Sequence, residues 1–379
     1  MRILHLHDSP EIPGGPSGYL GRLLARCTEF GHQNGLFALS PIPSNLSPDF
    51  STFYKYSPPA SPFRRRIDFH FRLPPLEKAL KEAIQEFSPD LIHIQNWSVF
   101  RSTLFPLLAK SQIPSVMTVH DFTFMDPNPW GVPRLGLTGP FRRFLDTLSN
   151  TSSRKAAFRA VDRFLCPTEV VLNGLPFLPS KASLHRLPVE RQPLQPLPGS
   201  SPIRLLFGGS LYPSKGVDVL LHAIAKAKHP VLLELAGAGE MKNKLLGLCS
   251  ELRLQDSVHF LGHCSSSEVK AAISRCHAVV LPSRVSENSG LILLEGGSQG
   301  RPGIGSHLGG TPELLSPPAR GWTFNSEDSN SLAQVFDELA KNPQEIARRG
   351  TEFRTWIRSE FDPEAHWNKL EEVYLELVS

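Results

Sequence analysis

The alternation of short apolar runs with helical patterns constrains the fold of this chain more than any other feature. Each apolar run is followed by a segment with the apolar spacing of an amphipathic helix. Strands that alternate with helices run parallel, since each helix returns the chain across the sheet. The pattern therefore predicts a doubly wound α/β architecture. The predicted strands are Ile3–His7, Leu36–Leu39, Leu91–Ile94, Ser115–Val119, Arg163–Cys166, Ile203–Phe207, Val231–Ala236, Val258–Leu261 and Ala278–Leu281.

The length of the chain and one proline-rich segment predict two domains. A chain of 379 residues suits two domains of ordinary size. Residues 188–202 contain five prolines and read as a hinge between the two α/β series. We expect a Rossmann-like N-terminal domain over residues 1–195 and a second Rossmann-like domain over residues 200–362. The last helix, Pro363–Val378, has an apolar face, and residues 363–379 are predicted to pack back onto the first domain.

The composition is typical of a globular cytoplasmic protein. The amino terminus enters a strand directly, without the apolar run of a signal peptide, and no segment approaches transmembrane length. Five cysteines form no CxxC pair, which favours reduced thiols over a disulfide framework or a zinc site. We expect a cytoplasmic location.

The N-terminal half carries an excess of positive charge. Residues 1–200 contain 22 lysines and arginines against 15 acids, while residues 201–379 contain 18 against 21. Arg64, Arg65 and Arg66 lie close to Phe69 and Phe71, a mixture that suits peripheral contact with the anionic inner face of a membrane. A solvated loop is the alternative interpretation. Nucleic acid is not an expected partner, because the bias is small and no recognition motif appears.

The stretch from Leu281 to Glu313 carries the strongest functional signal. The strand that ends at Leu281 is followed by a polar loop and by an apolar helix that starts at about Ser289. The amides of Ser289, Gly290 and Leu291 are predicted to lie free at the positive end of the helix dipole, where a phosphate binds. Glu287 precedes that helix.

Glu295 lies inside the same helix. At a rise of ~1.5 Å per residue it is about 9 Å along the axis from Ser289, roughly the distance from a diphosphate to the ribose of a nucleotide. The alternative is a capping Glu287 and a solvated Glu295. We favour the functional interpretation because leucines and glycines surround Glu295 and predict closely packed apolar surroundings, in which an acid needs a partner.

Three further strand ends supply candidate ligand-binding residues. Gly14 and Gly15 follow the first strand and allow a close approach of backbone to a ligand, although a plain tight turn explains them equally. His120 follows the strand that ends at Val119, at the edge where an open parallel sheet binds ligands. Ser210 and Lys215 lie in a glycine-flanked loop after Phe207, from which a lysine reaches a phosphate.

Several elements in order resemble the retaining glycosyltransferases of family 4, which have the GT-B fold. They are K-G-V-D-x-L-L, L-A-G-x-G, F-L-G, P-S-x-x-x-E-x-x-G-L-x-x-L-E and G-G-T-P-E, which fall between Ile203 and Trp322. The resemblance covers nearly the whole chain. It implies two Rossmann-like domains that face each other across a cleft.

The resemblance also implies roles for individual residues. Gly15 would approach the donor diphosphate or the transferred sugar, and His120 would contact that sugar and help to place the acceptor. Lys215 would neutralise the diphosphate leaving group. Glu287 would bind hydroxyls of the donor sugar beside the amides of Ser289, Gly290 and Leu291, and Glu295 would bind the ribose. No cofactor or metal is implied; the substrate would be a nucleotide-diphosphate sugar, UDP- or GDP-linked, and the acceptor a saccharide or lipid-linked molecule.

One position departs from the family pattern. The family usually has an arginine five residues before the lysine, where this chain has Ser210. Loss of one fixed electrostatic donor can cost ~10²–10³ in rate. Arg284 and Arg301 are candidates to supply that charge.

Three functions remain open at this stage. The first is a hexosyltransferase that retains anomeric configuration and builds a cell-surface polysaccharide or glycolipid. The second is a catalytically weak or silent sugar-nucleotide-binding partner of another glycosyltransferase, which Ser210 motivates. The third is a different GT-B enzyme, an epimerase or a phosphorylase.

Overall fold

A computed structural model describes residues 1–8, 15–39, 52–57, 73–97, 101–122, 152, 154–175, 180–199, 201–316 and 318–379. Two compact units divide the chain. The N-terminal unit comprises the described residues up to His185 together with His366–Ser379, and the C-terminal unit comprises Arg186–Ala365. Gly14 and the predicted basic and aromatic cluster at Arg64–Phe71 lie outside the described residues.

The N-terminal unit contains a parallel sheet of seven strands. Their order across the sheet is β3-β2-β1-β4-β5-β6-β7. The strands are β1 Arg2–His7, β2 Gln33–Ala38, β3 Thr52–Lys55, β4 Leu91–Asn96, β5 Ser115–Thr118, β6 Arg163–Cys166 and β7 Ala182–Leu184. The five predicted strands are confirmed, and β3 and β7 were not predicted.

Helices connect these strands. They are α1 Gly15–Glu29, α2 Pro74–Phe87, α3 Arg101–Ser111 and α4 Glu169–Asn173, and residues 154–160 are also helical. In α2, Leu76, Leu80, Ala83 and Phe87 recur at helical spacing and are buried in the core, because that face lies on the sheet.

The C-terminal unit contains a parallel sheet of six strands in the order β10-β9-β8-β11-β12-β13. The strands are β8 Ile203–Gly208, β9 Val231–Ala236, β10 Val258–Gly262, β11 Ala278–Leu281, β12 Gly303–Ser306 and β13 Gly321–Phe324. The helices are α5 Val217–Lys226, α6 Lys242–Glu251, α7 Ser266–Arg275, α8 Leu291–Ser298, α9 Thr311–Leu315, α10 Ser329–Lys341 and α11 Pro343–Glu360.

Both sheets reverse their strand order at one point. The switch lies between β1 and β4 in the first sheet and between β8 and β11 in the second. Open parallel sheets bind ligands outside the carboxyl ends of the strands at such a point. The predicted doubly wound α/β class is confirmed. The loop from Gly209 to Gly216 and the loop from Pro282 to Gly290 leave the switch point of the C-terminal unit.

The last helix, α12 Pro363–Val378, packs into the N-terminal unit from His366 onward. Its buried face includes Trp367, Leu370 and Tyr374, as the sequence predicts. The hydroxyl of Tyr374 bonds to His93 and the ring of His366 to the hydroxyl of Tyr19, 3.0 Å away. Among the described residues, no helix is sufficiently long and apolar to span a membrane.

The chain leaves the N-terminal unit at His185. Arg186 forms an ion pair with Glu313, and the amide of Val189 donates to the carbonyl of Phe361, 3.0 Å away. These contacts join the proline-rich segment to the C-terminal unit from Arg186 onward. The N-terminal unit is left at His185, ten residues before residue 195, where the first domain was predicted to end.

Candidate active site

Lys215 and Glu287 meet at the switch point of the C-terminal unit. The Nζ atom of Lys215 lies 2.6 Å from Oε1 of Glu287, and the hydroxyl of Ser283 donates to the same oxygen. The side chains of Lys215 and Glu287 are 19% and 15% exposed. The structure therefore brings two predicted site residues into direct contact, and both remain accessible to a ligand.

A glycine sets the position of Lys215. The 3₁₀ turn Pro213–Lys215 ends at Gly216, which has a φ of 63°. A Cβ atom at Gly216 would lie 2.1 Å from the carbonyl oxygen of Pro282, so a side chain does not fit there. This close approach places the turn that carries Lys215 directly beside the end of β11.

The G-G-T-P-E element holds the backbone of Glu287. The amide of Gly310 donates to the carbonyl of Glu287, 2.7 Å away. Gly309 has a φ of 57°, and a Cβ atom there would lie 2.5 Å from the same carbonyl oxygen. The acid of that element, Glu313, pairs with Arg186 at 2.7 Å. The element thus fixes the orientation of Glu287 through main-chain contacts.

The start of α8 presents unpaired polar groups. Among the described residues, nothing accepts a hydrogen bond from the amides of Ser289, Gly290 and Leu291. The Oγ atom of Ser289 is buried and also lacks a described partner. Ser289 and Gly290 are buried and Leu291 is half-buried. Buried amides without an acceptor cost free energy, so this helix start is suited to an anionic ligand.

Glu295 lies in a different environment from the one predicted. Its neighbours Leu294 and Gly296 are buried, but Glu295 itself is exposed. The expectation of closely packed apolar surroundings is wrong, since the side chain of Glu295 is exposed although its sequence neighbours are buried. The side chain of Glu295 is therefore accessible from solvent.

Ser210 lies in a loop that is tied to its neighbours by backbone. The amide of Leu211 donates to the carbonyl of Ala238, 2.9 Å away. A Cβ atom at Gly237 would lie 1.8 Å from the carbonyl oxygen of Gly209, and one at Gly239 would lie 2.5 Å from that of Leu211. Because they lack a Cβ atom, the glycines after β9 allow the Ser210 loop to lie against them. Ser210 is half-buried.

Both candidate arginines form hydrogen bonds to other residues. Both nitrogens of the Arg284 fork bond to Asp218, at 2.7 and 2.8 Å. Arg301 is 1% exposed and donates to the carbonyls of Ile273, Gln195 and Pro196. The pairing of Arg284 with Asp218 was not predicted, although Asp218 is part of the K-G-V-D element.

His120 and Gly15 lie in the N-terminal unit. His120 is half-buried, and its Nε2 atom lies 3.5 Å from Oε1 of Gln95. Desolvation, with a smaller effect of His7, lowers the pKa of His120 to about 3, so the ring is neutral at neutral pH. Gly15 begins α1 and is half-buried.

Family models cover both halves of the chain. The model of "Glycosyl transferases group 1" matches residues 190–356, and the model of "Glycosyltransferase Family 4" matches residues 13–176. The chain is a family 4-like glycosyltransferase of the GT-B fold. The first match contains Lys215, Glu287 and Glu295, and the second contains Gly15 and His120.

Known proteins resemble this glycosyltransferase over most of its length. Glycogen synthase of Mycobacterium tuberculosis is 25% identical over 310 residues, which cover 77% of this chain and 70% of that protein. Sucrose-phosphate synthase from Thermosynechococcus elongatus has a TM-score of 0.81 and 20% identity, over 99% of this chain and 98% of that one. HepE of Anabaena, solved in complex with UDP-glucose, has a TM-score of 0.79 and 18% identity over the whole of both chains.

Proposed function

We propose that this glycosyltransferase moves a hexosyl unit from a nucleotide-diphosphate sugar to a saccharide or lipid-linked acceptor, with retention of anomeric configuration and without a metal ion. One observation carries the proposal: Lys215 and the unpaired amides of Ser289, Gly290 and Leu291 flank Glu287 at one sheet edge. A cation and free amides suit a diphosphate, and a carboxylate suits sugar hydroxyls. The UDP-glucose in the HepE structure supports a nucleotide-sugar donor.

In the proposed reaction, the donor binds where Lys215 and Glu287 contact each other and separates the pair. Lys215 leaves the carboxylate and neutralises the diphosphate, which rests on the amides at the start of α8. Glu287, released from Lys215, accepts hydrogen bonds from hydroxyls of the donor sugar while Ser283 and Gly310 hold it in place. Positive groups fixed where negative charge develops lower the barrier to departure of the diphosphate.

Glu295 and His120 complete the proposed roles. Glu295, exposed on α8, binds the ribose hydroxyls. The neutral ring of His120 forms a hydrogen bond to the transferred sugar and carries no charge. The acceptor hydroxyl attacks the anomeric carbon on the face from which the diphosphate departs, and its proton passes to the leaving phosphate oxygen. The site holds the reactants in the orientation that this same-face reaction needs.

Donor binding and turnover test the proposal together. UDP-, GDP- and ADP-sugars are screened by thermal shift, since a ligand that binds only the native state raises its melting temperature. The preferred donor is then incubated with saccharide and lipid-linked acceptors, and the anomeric configuration of the product is assigned by NMR. An inverted product contradicts retention. Stabilisation by none of the donors contradicts nucleotide-sugar binding.

A second function is favoured by one specific observation. Ser210 replaces the usual arginine, and the guanidinium groups of Arg284 and Arg301 are both held by other residues. This arrangement favours a catalytically weak or silent donor-binding partner of another glycosyltransferase. Tight donor binding without hydrolysis or transfer supports that function, and transfer to any acceptor excludes it.

A further inference from the structure

Arg284 connects the segments on either side of the Lys215–Glu287 pair. It lies three residues before Glu287, and its own amide donates to the carbonyl of Ser214, 2.8 Å away. Its Nη1 atom donates to the carbonyl of Pro213 at 2.9 Å and to Asp218 at 2.7 Å. Pro213 precedes Lys215 and Asp218 follows it, so one guanidinium group holds both ends of the segment that carries the lysine.

The contact between Arg284 and Asp218 has the geometry of a rigid fork. Nη1 and Nη2 donate to the two carboxylate oxygens of Asp218, while Nε donates to Glu327 at 2.9 Å. A planar guanidinium that pairs in this way fixes direction as well as distance. The side chains of Arg284 and Asp218 are 26% and 25% exposed, so the pair is partly shielded from solvent.

We propose that Arg284 is a positioning residue: through its fork to Asp218 it holds the Lys215 turn and the Glu287 loop at their working separation. The inference rests on the proposed function, in which these two side chains serve the donor. Arg284 acts through its neighbours and does not itself touch the diphosphate. The contact of Gly216 with Pro282 is a second connection between the same segments, so loss of Arg284 loosens them without separating them.

The first experiment compares kinetic constants in a set of variants. Arg284→Gln and Asp218→Asn each lower kcat for donor turnover by about 10²-fold, since small displacements of reacting groups have effects of that size. The KM for donor changes much less. Arg284→Lys does not restore kcat, because an ammonium group keeps the charge but cannot form the fork. The double variant Arg284→Gln/Asp218→Asn is no slower than either single variant.

A matched control lies elsewhere in the same unit. Arg275 contacts Glu234 through Nε and Nη2, at 3.4 and 2.9 Å, on the surface between α7 and β9. Arg275→Gln removes a guanidinium–carboxylate pair of the same kind and leaves kcat unchanged. If Arg284→Gln fails to fold, Asp218→Asn supplies the same comparison.

A second experiment does not depend on turnover. The coupling between Lys215→Met and Glu287→Gln is measured from unfolding equilibria, first in the natural chain and then with Arg284→Gln present. When Arg284 is present, the interaction between Lys215 and Glu287 is expected to change the folding equilibrium constant by roughly tenfold. Without Arg284 the coupling decreases to less than about threefold, because the two segments are held less firmly and the side chains no longer meet at a fixed distance.

The outcomes separate the two proposals. Unchanged coupling in the Arg284→Gln background overturns the positioning role, as does full kcat in Arg284→Gln or its rescue by Arg284→Lys. Independent, multiplying losses in Arg284→Gln and Asp218→Asn also overturn it. Absence of donor binding and turnover in the natural chain overturns the proposed function, and the coupling measurement then still tests whether Arg284 sets the Lys215–Glu287 contact.

Discussion

The ammonium group of Lys215 contacts the carboxylate of Glu287 at 2.6 Å, although the two residues are 72 positions apart in the chain. In the proposed function, Glu287 therefore competes with a diphosphate for the same cation. Glu287→Gln removes this competition, because an amide holds an ammonium group much less strongly than a carboxylate does. We therefore expect UDP to bind Glu287→Gln about three- to tenfold more tightly than the natural chain, equivalent to ~1 kcal/mol, while transfer of the sugar decreases.

Isothermal titration with UDP measures this effect. Lys215→Met is expected to weaken UDP binding, so the two members of the pair change affinity in opposite directions. Glu234→Gln, which removes an exposed acid paired with Arg275, is the control and leaves the affinity unchanged. A parallel loss of UDP affinity in Glu287→Gln and Lys215→Met contradicts the competition.

Ser210→Arg tests whether the missing family arginine limits the enzyme. The loop at Ser210 is fixed by the backbone contacts of Gly209 and Leu211, and the serine is half-buried beside accessible space at Gly209. A guanidinium added there supplies one further donor to a diphosphate, and we expect donor turnover to rise by ~10-fold or more.

A matched substitution controls for the added charge. Ser250→Arg places the same charge on an exposed position of α6 in the same unit and is expected to leave turnover unchanged. Turnover is followed as release of the nucleoside diphosphate. Equal rates in Ser210→Arg and the natural chain would show that the missing arginine is not limiting.

Glu295→Ala is expected to abolish the thermal shift caused by the preferred donor, because the ribose loses its carboxylate partner. Glu295 is exposed, so the substitution changes the melting temperature of the free protein little. Glu251→Ala, at an exposed acid of α6, retains the full donor-induced shift. An undiminished shift in Glu295→Ala refutes the ribose role.

The sequence predicted the elements whose pattern is local. The bounds of β9, β11 and α12 agree with the predicted Val231–Ala236, Ala278–Leu281 and Pro363–Val378. Four of the described strands were not predicted, and the composition of β12 shows the reason for that strand. It contains Gly303 and Gly305, residues with poor strand propensity. A Cβ atom at these glycines would lie 2.4 Å from Leu315 and 2.3 Å from Thr311, so they are required by the packing of α9, which sequence does not reveal.

The same distinction between local and long-range features applies to the candidate site. The helix start at Ser289 to Leu291 was predictable because its loop, strand and helix are adjacent in the chain. The contacts of Lys215 with Glu287 and of Arg284 with Asp218 join residues more than sixty positions apart, so only the folded sheet shows them. The environment of Glu295 was predicted incorrectly because apolar neighbours in sequence do not determine the burial of a single helix position.

Buried neutral histidines are expected to make the N-terminal unit sensitive to acid. Desolvation, with a smaller effect of Lys369, lowers the pKa of His185 to about 3, and burial lowers that of His5 to about 4. Unfolding exposes these rings to water, where their pKa is about 6.5. Below that pH the unfolded chain binds more protons than the folded one, so stability is full above about pH 6.5 and falls toward pH 3–4.

His185→Phe tests this dependence. The ring of His185 packs 4.4 Å from that of His366, and neither of its nitrogens has a described hydrogen-bond partner. Removing one such histidine lowers the dependence of unfolding free energy on pH by ~1.4 kcal/mol per pH unit between about pH 4 and 6. Urea unfolding at several pH values measures the slope, and His222→Phe, at an exposed position of α5, should leave it unchanged.

Gly216→Ala and Gly247→Ala are expected to change stability in opposite directions. Gly216 has a φ of 63°, and its Cβ atom would meet the carbonyl oxygen of Pro282, so alanine displaces the backbone that positions Lys215. The strain costs at least ~1–3 kcal/mol. Gly247 lies inside α6 with nothing within 4 Å of a Cβ atom, so alanine there stabilises the helix by ~0.5–1 kcal/mol. Urea unfolding measures whether each substitution raises or lowers the free energy of unfolding. Donor turnover falls only in Gly216→Ala, and a stable, fully active Gly216→Ala would contradict the close approach of the two loops.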